Sequence, residues 1–264
     1  MDKLAQETSN HEHLVWDAIY QKQLANPQIE EFSSYWWEYY YYQMNTCVRA
    51  FFSEEKLNNV RVLEVGSGTG KATLLTVPEA KITFFDLSSR GLEIAQLLSK
   101  QYSAKQTEYV QGNMFNLPFK DDSFDFAWNI GTIEHYSPEH VKMAIVEMLR
   151  VLAKGGRIAI AVPNYYSLPM LKARLLGHQK WGKYLKWIPG YRADSEMHYT
   201  SKQLLELIKE ASNDCSFTLK DSAVHWIGSP FFVGSNKLLV SSFHFLENMF
   251  PRTKFLVLVT GIKS

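Results

Sequence analysis

Cysteine is scarce: Cys47 and Cys215 stand far apart in 264 residues and form no C-x-x-C spacing. That argues against a disulfide framework and a cysteine zinc site, fits a reducing compartment, and leaves each thiol as a small buried apolar residue. Net charge is nearly absent too, with 28 Lys+Arg against 27 Asp+Glu, so no overall basic field draws the chain to nucleic acid. Long apolar runs are missing. The uncharged stretch Ser222–Asn236 is interrupted by His, Ser, Gly and Pro and falls short of the ~20 apolar residues of a bilayer span. The start, MDKLAQETSNHEH, has no apolar run behind a basic segment and so reads as no secretory signal; the expectation is a cytoplasmic, non-integral protein. Only 14 Gly and 9 Pro, with 46% hydrophobic and 21% charged residues, exclude collagen-like, low-complexity and wholly disordered classes and leave an ordinary globular chain with a substantial core.

What is present is an alternation of short β-branched runs with longer helical patterns. VRVLEV (60–65), KITFFDL (81–87), EYV (108–110), FDFAWNI (124–130) and GRIAIAV (156–162) read as strands, and their nearly unbroken apolarity is that of a parallel sheet covered on both faces. Ser137-Pro138-Glu139 opens a helix whose Val141, Ala144, Ile145, Met148, Leu149 and Leu152 repeat at helical spacing. Thr200 and Gln203 form a capping-box pair ahead of Leu204, Leu207, Ile208 and Ala211. The predicted fold is α/β: a doubly wound, mostly parallel, Rossmann-like sheet.

Two segments depart from this rhythm. Residues 1–58 precede the first strand and are acidic, and are expected to form a helical N-terminal cap on a main domain of residues 59–264. Within that domain no acidic residue occurs from Met148 through Ala193, so residues 163–198 read as a basic, aromatic lid insert, with a further insert at 227–253 between a strand at 216–226 and a last strand at 255–261. An amphipathic helix is expected near 236–250.

The strongest local signal is VLEVGSGTG, Val62–Gly70: a buried strand enters a loop of three glycines, which permit tight turning and close approach of backbone to a ligand. The third glycine of a dinucleotide fingerprint would fall on Lys71, which disfavours NAD, and Gly70-Lys71-Ala72 lacks the hydroxyl and the first glycine of an ATP-binding P-loop. Asp86 ends the second strand, where a carboxylate can accept from two ribose hydroxyls; its rival use is as a helix cap before Ser88 and Ser89. Asn113 and Met114 follow the third strand, beside an adenine position, and Asn129 ends the fourth. Four loops thus meet at the carboxyl ends of consecutive strands.

These residues resemble the class I S-adenosylmethionine-dependent methyltransferases, and especially the small-molecule group called type 11. The resemblance runs from about Asn59 to Asn213 and rests on the E-V-G-S-G-T-G loop, Asp86, LPF at 117–119 with SFD at 123–125, I-E-H at 133–135 and L-A-K-G-G at 152–156. It implies S-adenosyl-L-methionine as donor and S-adenosyl-L-homocysteine as product. Gly66, Ser67, Gly68 and Gly70 would line the methionine part, with Glu64 orienting the loop. Asp86 would hold the ribose, Leu87 and Met114 would sandwich the adenine, and the main-chain carbonyl of Asn129 would face the amino end. Asn113 stands where the family usually has Asp, which weakens one adenine contact.

Methyl transfer needs an in-line nucleophile at close range, so positioning and desolvation supply most of the catalysis. His135 is the candidate base if the acceptor carries a proton; its rival role is to orient the loop. Asn129-Ile130-Gly131-Thr132 is not the NPPY of base or glutamine methyltransferases, and neutral Asn129 and Asn164 fit no catechol-type metal site, so no metal is expected. Tyr39 and Tyr42, from the run YWWEYYYY, together with Tyr136, Tyr165 and His198, are the candidate acceptor walls. The reading is O- or N-methylation of a small molecule, anionic or lipid-linked, with room for peripheral membrane contact. It includes no DNA, disfavours RNA, and leaves monomer and homodimer both open. The alternatives are an RNA methyltransferase and a non-catalytic S-adenosylmethionine-binding regulator.

Overall fold

A computed structural model describes residues 3–25, 35–52, 54–177, 184, 197–215, 217–228, 245 and 248–264; for 3–12, 35–39 and 54–55 it gives the backbone alone. Helices α1 (Lys3–Leu24) and α2 (Tyr35–Arg49) precede the first strand. Then come β1 (Arg61–Val65), α3 (Lys71–Thr76), β2 (Lys81–Asp86), α4 (Ser89–Gln101), β3 (Gln106–Gln111), β4 (Phe124–Ile130), α5 (Pro138–Val151) and β5 (Leu152–Pro163). The described chain ends with α6 (Leu168–Gly177), α7 (Ser201–Asp214), β6 (Leu219–Ile227) and β7 (Leu256–Lys263).

The strands form one sheet in the order β3-β2-β1-β4-β5-β7-β6. β3, β2, β1, β4 and β5 run parallel, and β7 is antiparallel to both β5 and β6. Because side chains alternate across a strand, the apolar runs fill two cores. Leu63, Val65, Ile158 and Ile160 pack with the apolar stripes of α5 and α7 on one face. Val62, Phe84, Phe126 and Trp128 pack with α2, α3 and α4 on the other. The expected caps operate: Ser137 accepts from the His140 amide with Pro138 in the first turn, and Thr200 and Gln203 cap α7 reciprocally. Leu152 departs from its predicted place in the α5 stripe and opens β5 instead.

The strand order reverses between β1 and β4, so the loops after these two strands diverge and leave a crevice at their carboxyl ends. Arg150, at the end of α5 and beside the amino ends of β4 and β5, fastens the segment that leads from β3 into β4. Its guanidinium donates to the carbonyls of Leu117 and Phe119 at 2.9 and 2.8 Å and to Glu147 and Asp121, while Glu147 accepts from the Leu117 amide at 2.8 Å. The LPF segment is therefore a fastened loop. Cys47 and Cys215 are free thiols, each partly buried, and no described helix is long and apolar enough to cross a membrane. Half of the predicted lid at 163–198 and most of the insert at 227–253 lie outside the described residues, and the described part of the lid is chiefly α6.

Candidate functional site

A cavity of about 220 Å³ occupies the crevice. The loop after β1 makes one wall. The amides of Gly66 and Ser67 donate to the Phe85 carbonyl at 2.8 and 3.1 Å, which bends the chain off β1 and turns its backbone toward the cavity. At Gly66 (φ +68°) a side chain would collide with Thr132, whose hydroxyl donates to the Gly66 carbonyl at 3.0 Å. Gly68 (φ +49°) leaves just enough room for the hydroxyl of Tyr20. Only a residue without Cβ meets both demands, a left-handed backbone and a close neighbour. Ser67 Oγ is buried here without a hydrogen-bond partner.

Asp86 joins two loops. Its carboxylate accepts from the Gly68 and Ser88 amides, both at 2.7 Å, with the Leu87 amide a further donor, which leaves part of its acceptor capacity for a ligand. Ser88, rather than Asp86, caps α4, accepting from the Gly91 amide at 3.1 Å. Burial pushes the Asp86 carboxyl up in pKa, against the pull of the loop amides. On the far side of the cavity Gly112, Asn113 and Met114 face Leu87. Asn113 Oδ1 accepts from the Phe115 amide at 2.9 Å, which ties that side chain into its own turn.

Glu64 points from β1 toward α3 and is almost completely buried. It accepts from the Thr73 hydroxyl at 2.7 Å, and Thr73 in turn accepts from Trp128 Nε1 at 2.8 Å. Burial raises the Glu64 carboxyl from 4.5 to about 8; the Thr73 hydrogen bond opposes this and Asp86 adds to it. Near neutral pH the ligand-free cavity therefore holds a proton on Glu64, which a cationic ligand would displace.

Two helices close the cavity from above. α1 is pinned where α4 begins, through a short hydrogen bond from the Ser88 hydroxyl to Asp17 and a contact from the Arg90 amide. This position sets Trp16 and Tyr20 into the mouth, their rings 6.0 Å apart. The Tyr20 phenol sits deep and near Asp86 and Glu64, and its pKa is driven upward first by burial and then by these carboxylates. α2 is keyed to α3 by hydrogen bonds from Asn45 to the Leu75 carbonyl and from Arg49 to the Thr76 carbonyl, at 2.7 and 2.8 Å. That phase turns Tyr40, Tyr41 and Met44 into the cavity.

Of the residues singled out from sequence, Glu64, Gly66, Ser67, Gly68, Asp86, Leu87, Asn113, Met114 and Tyr136 line this one cavity. Others do not. Gly70 sits behind it as the N-cap of α3, against Phe84. Asn129 is buried off the wall, its amide donating to the Val65 carbonyl at 2.6 Å and accepting from the Ile133 amide, and Ile130 and Gly131 take the wall instead. His135 lies outside, its ring edge-on to Trp16 at 5.3 Å. Tyr42 corrects the expectation most clearly: it is 70% exposed on the outer face of α2. Tyr165 and His198 pack on each other at 4.5 Å, away from the cavity lining. The side chain of Tyr39 lies outside the described residues.

Trp16, Tyr20, Tyr40, Tyr41, Lys71 and Thr132 are wall residues that sequence reasoning missed. A signal for the first two existed in the four-residue interval of Trp16, Tyr20 and Leu24. Among the described residues no cluster of three His, Cys, Asp or Glu side chains could hold a metal ion.

Comparison with known proteins gives this cavity a context. A family described as a methyltransferase domain matches residues 62–156, the span from β1 to the start of β5. A demethylmenaquinone methyltransferase of Thermotoga maritima is 30% identical over 180 residues, 61% of this chain and 73% of that protein. An O-methyltransferase of Aspergillus nomiae is 36% identical over 116 residues, 40% of this chain and 49% of the relative. The chain spans about half the length of the first curated relatives it matches. Among solved structures, the magnesium protoporphyrin IX methyltransferase of Synechocystis with bound SAH superposes with a TM-score of 0.62 at 12% identity, over 97% of this chain and 99% of that one. At that identity the likeness concerns the fold.

Proposed function

The chain belongs to the class I S-adenosylmethionine-dependent methyltransferases, and from that premise we propose that it methylates a small hydroxylated aromatic acceptor, one carried on an apolar tail. Residues 1–58 serve in this reading as the cap of a methyltransferase domain formed by 59–264. The observation that carries it is the meeting, in one cavity, of the turned-out Gly66–Gly68 backbone, the partnerless Ser67 hydroxyl, the part-used carboxylate of Asp86 and the Asn113–Met114 turn. These groups fit the donor: backbone and Ser67 for its amino-acid end, Asp86 for a ribose diol, Leu87 and Met114 for an adenine. When bound, the donor supplies an electrophilic methyl group on a sulfonium.

The chain's own residues then position and exclude water. Trp16, Tyr40, Tyr41 and Tyr136 give an aromatic wall suited to a flat acceptor. Burial holds the phenols of Tyr40 and Tyr41 well above their ordinary pKa, so the wall stays neutral while negative charge on the donor side comes from Asp86 and, once a cationic ligand displaces its proton, from Glu64. The names of the relatives, an O-methyltransferase and a demethylmenaquinone methyltransferase, support an aromatic or quinol-type acceptor. His135, behind Trp16, acts in this reading as a support for that ring rather than as a base.

Calorimetric titration with S-adenosylmethionine and S-adenosylhomocysteine, followed by transfer of labelled methyl to a panel of phenols and short-chain quinols, tests the proposal. Binding of both ligands and labelling of a phenol or quinol is expected. A folded protein that binds neither ligand would overturn it, and so would one that labels only RNA.

A further inference from the structure

α6 is apolar on two faces. Met170, Ala173 and Leu176 are buried, whereas Leu168, Leu171 and Leu175, one turn apart along the other face, are 45%, 56% and 54% exposed. An apolar helix face ordinarily packs against a partner, and here the second face, flanked by Lys172 and Arg174, is uncovered by any described residue. The start of α6 is clamped to the turn that leads into β7. The Asn164 amide donates to the Phe255 carbonyl at 2.6 Å, and its side chain donates to the carbonyls of Arg252 and Lys254 at 2.8 Å each. That turn exposes Met249 and Phe250, 58% each, so the Asn164 clamp joins two segments that each carry exposed apolar side chains at one edge of the sheet. A patch of this kind rimmed by cations marks an interaction surface.

We propose that the leucine face of α6 and the Met249–Lys254 turn form a docking surface for an anionic lipid bilayer. Charge complementarity selects this occupant. The stretches 148–193 and 248–264 contain no Asp or Glu, and Lys172, Arg174, Arg252 and Lys254 belong to the two clamped segments. Leucines beside cations match the acyl and headgroup layers of a membrane surface, whereas leucines gain nothing against a nucleic-acid backbone. A twofold pairing with a second copy would set these acid-free segments against each other. The surface lies at the edge where β5 ends and β7 begins, the edge on which the cavity opens. It connects to the cavity wall through Tyr165 on His198 and through the Tyr199 hydroxyl, which donates to the Tyr136 carbonyl at 2.7 Å. An acceptor dissolved in the bilayer would therefore approach along this edge. Docking itself does not depend on the methyltransferase reading.

Flotation of the full chain with vesicles of equal parts phosphatidylglycerol and phosphatidylcholine, and with phosphatidylcholine alone, tests the surface. Binding to the anionic vesicles that weakens with salt is expected, with a loss of about tenfold or more in Leu171→Ser/Leu175→Ser and in Arg252→Glu/Lys254→Glu. These positions are exposed or half-exposed, so both variants should melt as the wild type does, and S-adenosylmethionine titration on the same samples reports separately on the donor site. Absence of binding to anionic vesicles overturns the proposal, as does equal binding by the variants. A concentration-dependent dimer abolished by Leu171→Ser/Leu175→Ser would assign the face to a second copy instead. Salt-sensitive binding to polyuridylate without vesicle binding would assign it to RNA.

Discussion

Glu64→Gln removes an ionisable group while keeping its shape and its acceptor for the Thr73 hydroxyl. In the wild type the folded carboxyl titrates at about 8 against an ordinary 4.5, so the native state retains a proton that the unfolded chain releases. Stability from this group is fully present below pH 4.5 and is lost as pH rises through 8. The whole interval corresponds to roughly 5 kcal/mol, of which about 2 kcal/mol falls between pH 6 and 7.5. For a chain of this size each kcal/mol moves the melting temperature by about 2–4 °C. Differential scanning calorimetry from pH 6 to 7.5 should therefore show the wild type losing roughly 4–8 °C relative to Glu64→Gln over that span. Melting curves that run parallel with pH would refute the buried, protonated state. The same linkage reaches the ligand: a cation in the cavity favours ionised Glu64. S-adenosylmethionine should bind the wild type more tightly at pH 7 than at pH 6, approaching tenfold, and bind Glu64→Gln with little pH dependence.

Three further outcomes follow from the same geometry. Gly68→Ala places a Cβ against the Tyr20 hydroxyl on a left-handed backbone; it should cost about 1–2 kcal/mol of stability and abolish S-adenosylmethionine binding in calorimetry. Asp86→Asn leaves a group that cannot accept at both termini from the Gly68 and Ser88 amides, and donor affinity should fall about tenfold or more, with unchanged affinity counting against a ribose contact. Arg150→Ala frees the carbonyls of Leu117 and Phe119 and strands Glu147. It should lower stability by about 1–3 kcal/mol, read as an earlier calorimetric melt, and an unchanged melt would count against the bracing role.

The sheet and the meeting of the strand-end loops in one cavity were legible because the information is local. Buried parallel strands are apolar on both faces, so Val62–Val65 and Ile82–Phe85 announce themselves, and a glycine loop followed by a strand-ending carboxylate can be built only one way at a switch point. The misread positions depend on phase instead. YWWEYYYY has no hydrophobic period, and the rotation of α2 is set by Asn45, Arg49, Met44 and Val48 against α3 and the sheet; it buries Tyr40 and expels Tyr42. In α1 the leucine, valine and isoleucine at 14, 15 and 19 face solvent, and the Asp17–Ser88 contact turns Trp16 and Tyr20 inward, against the order that hydrophobicity alone suggests. Asn129 was legible as special through its main chain, but its side chain has a use the sequence does not announce: it ties β1 to the turn after β4.

A division of labour follows from this contrast. In the proposed reading donor recognition rests on backbone amides and one carboxylate, whose placement comes from strands that pair in register. In the same reading acceptor recognition rests on the faces that α1 and α2 turn toward the crevice and on approach along the β5–α6 edge, and each of these is set by a few polar contacts outside any motif: Asp17 with Ser88, Asn45 with Leu75, Asn164 with the turn before β7. Substitutions at these three keying residues should accordingly alter acceptor selectivity while leaving donor affinity within about threefold, whereas substitutions in Gly66–Gly68 or at Asp86 should do the reverse. If Asn45→Ala lowered donor affinity and turnover of every acceptor in parallel, the two sides of the cavity would be one cooperative unit, and the separation argued from their different origins in the sequence would fail.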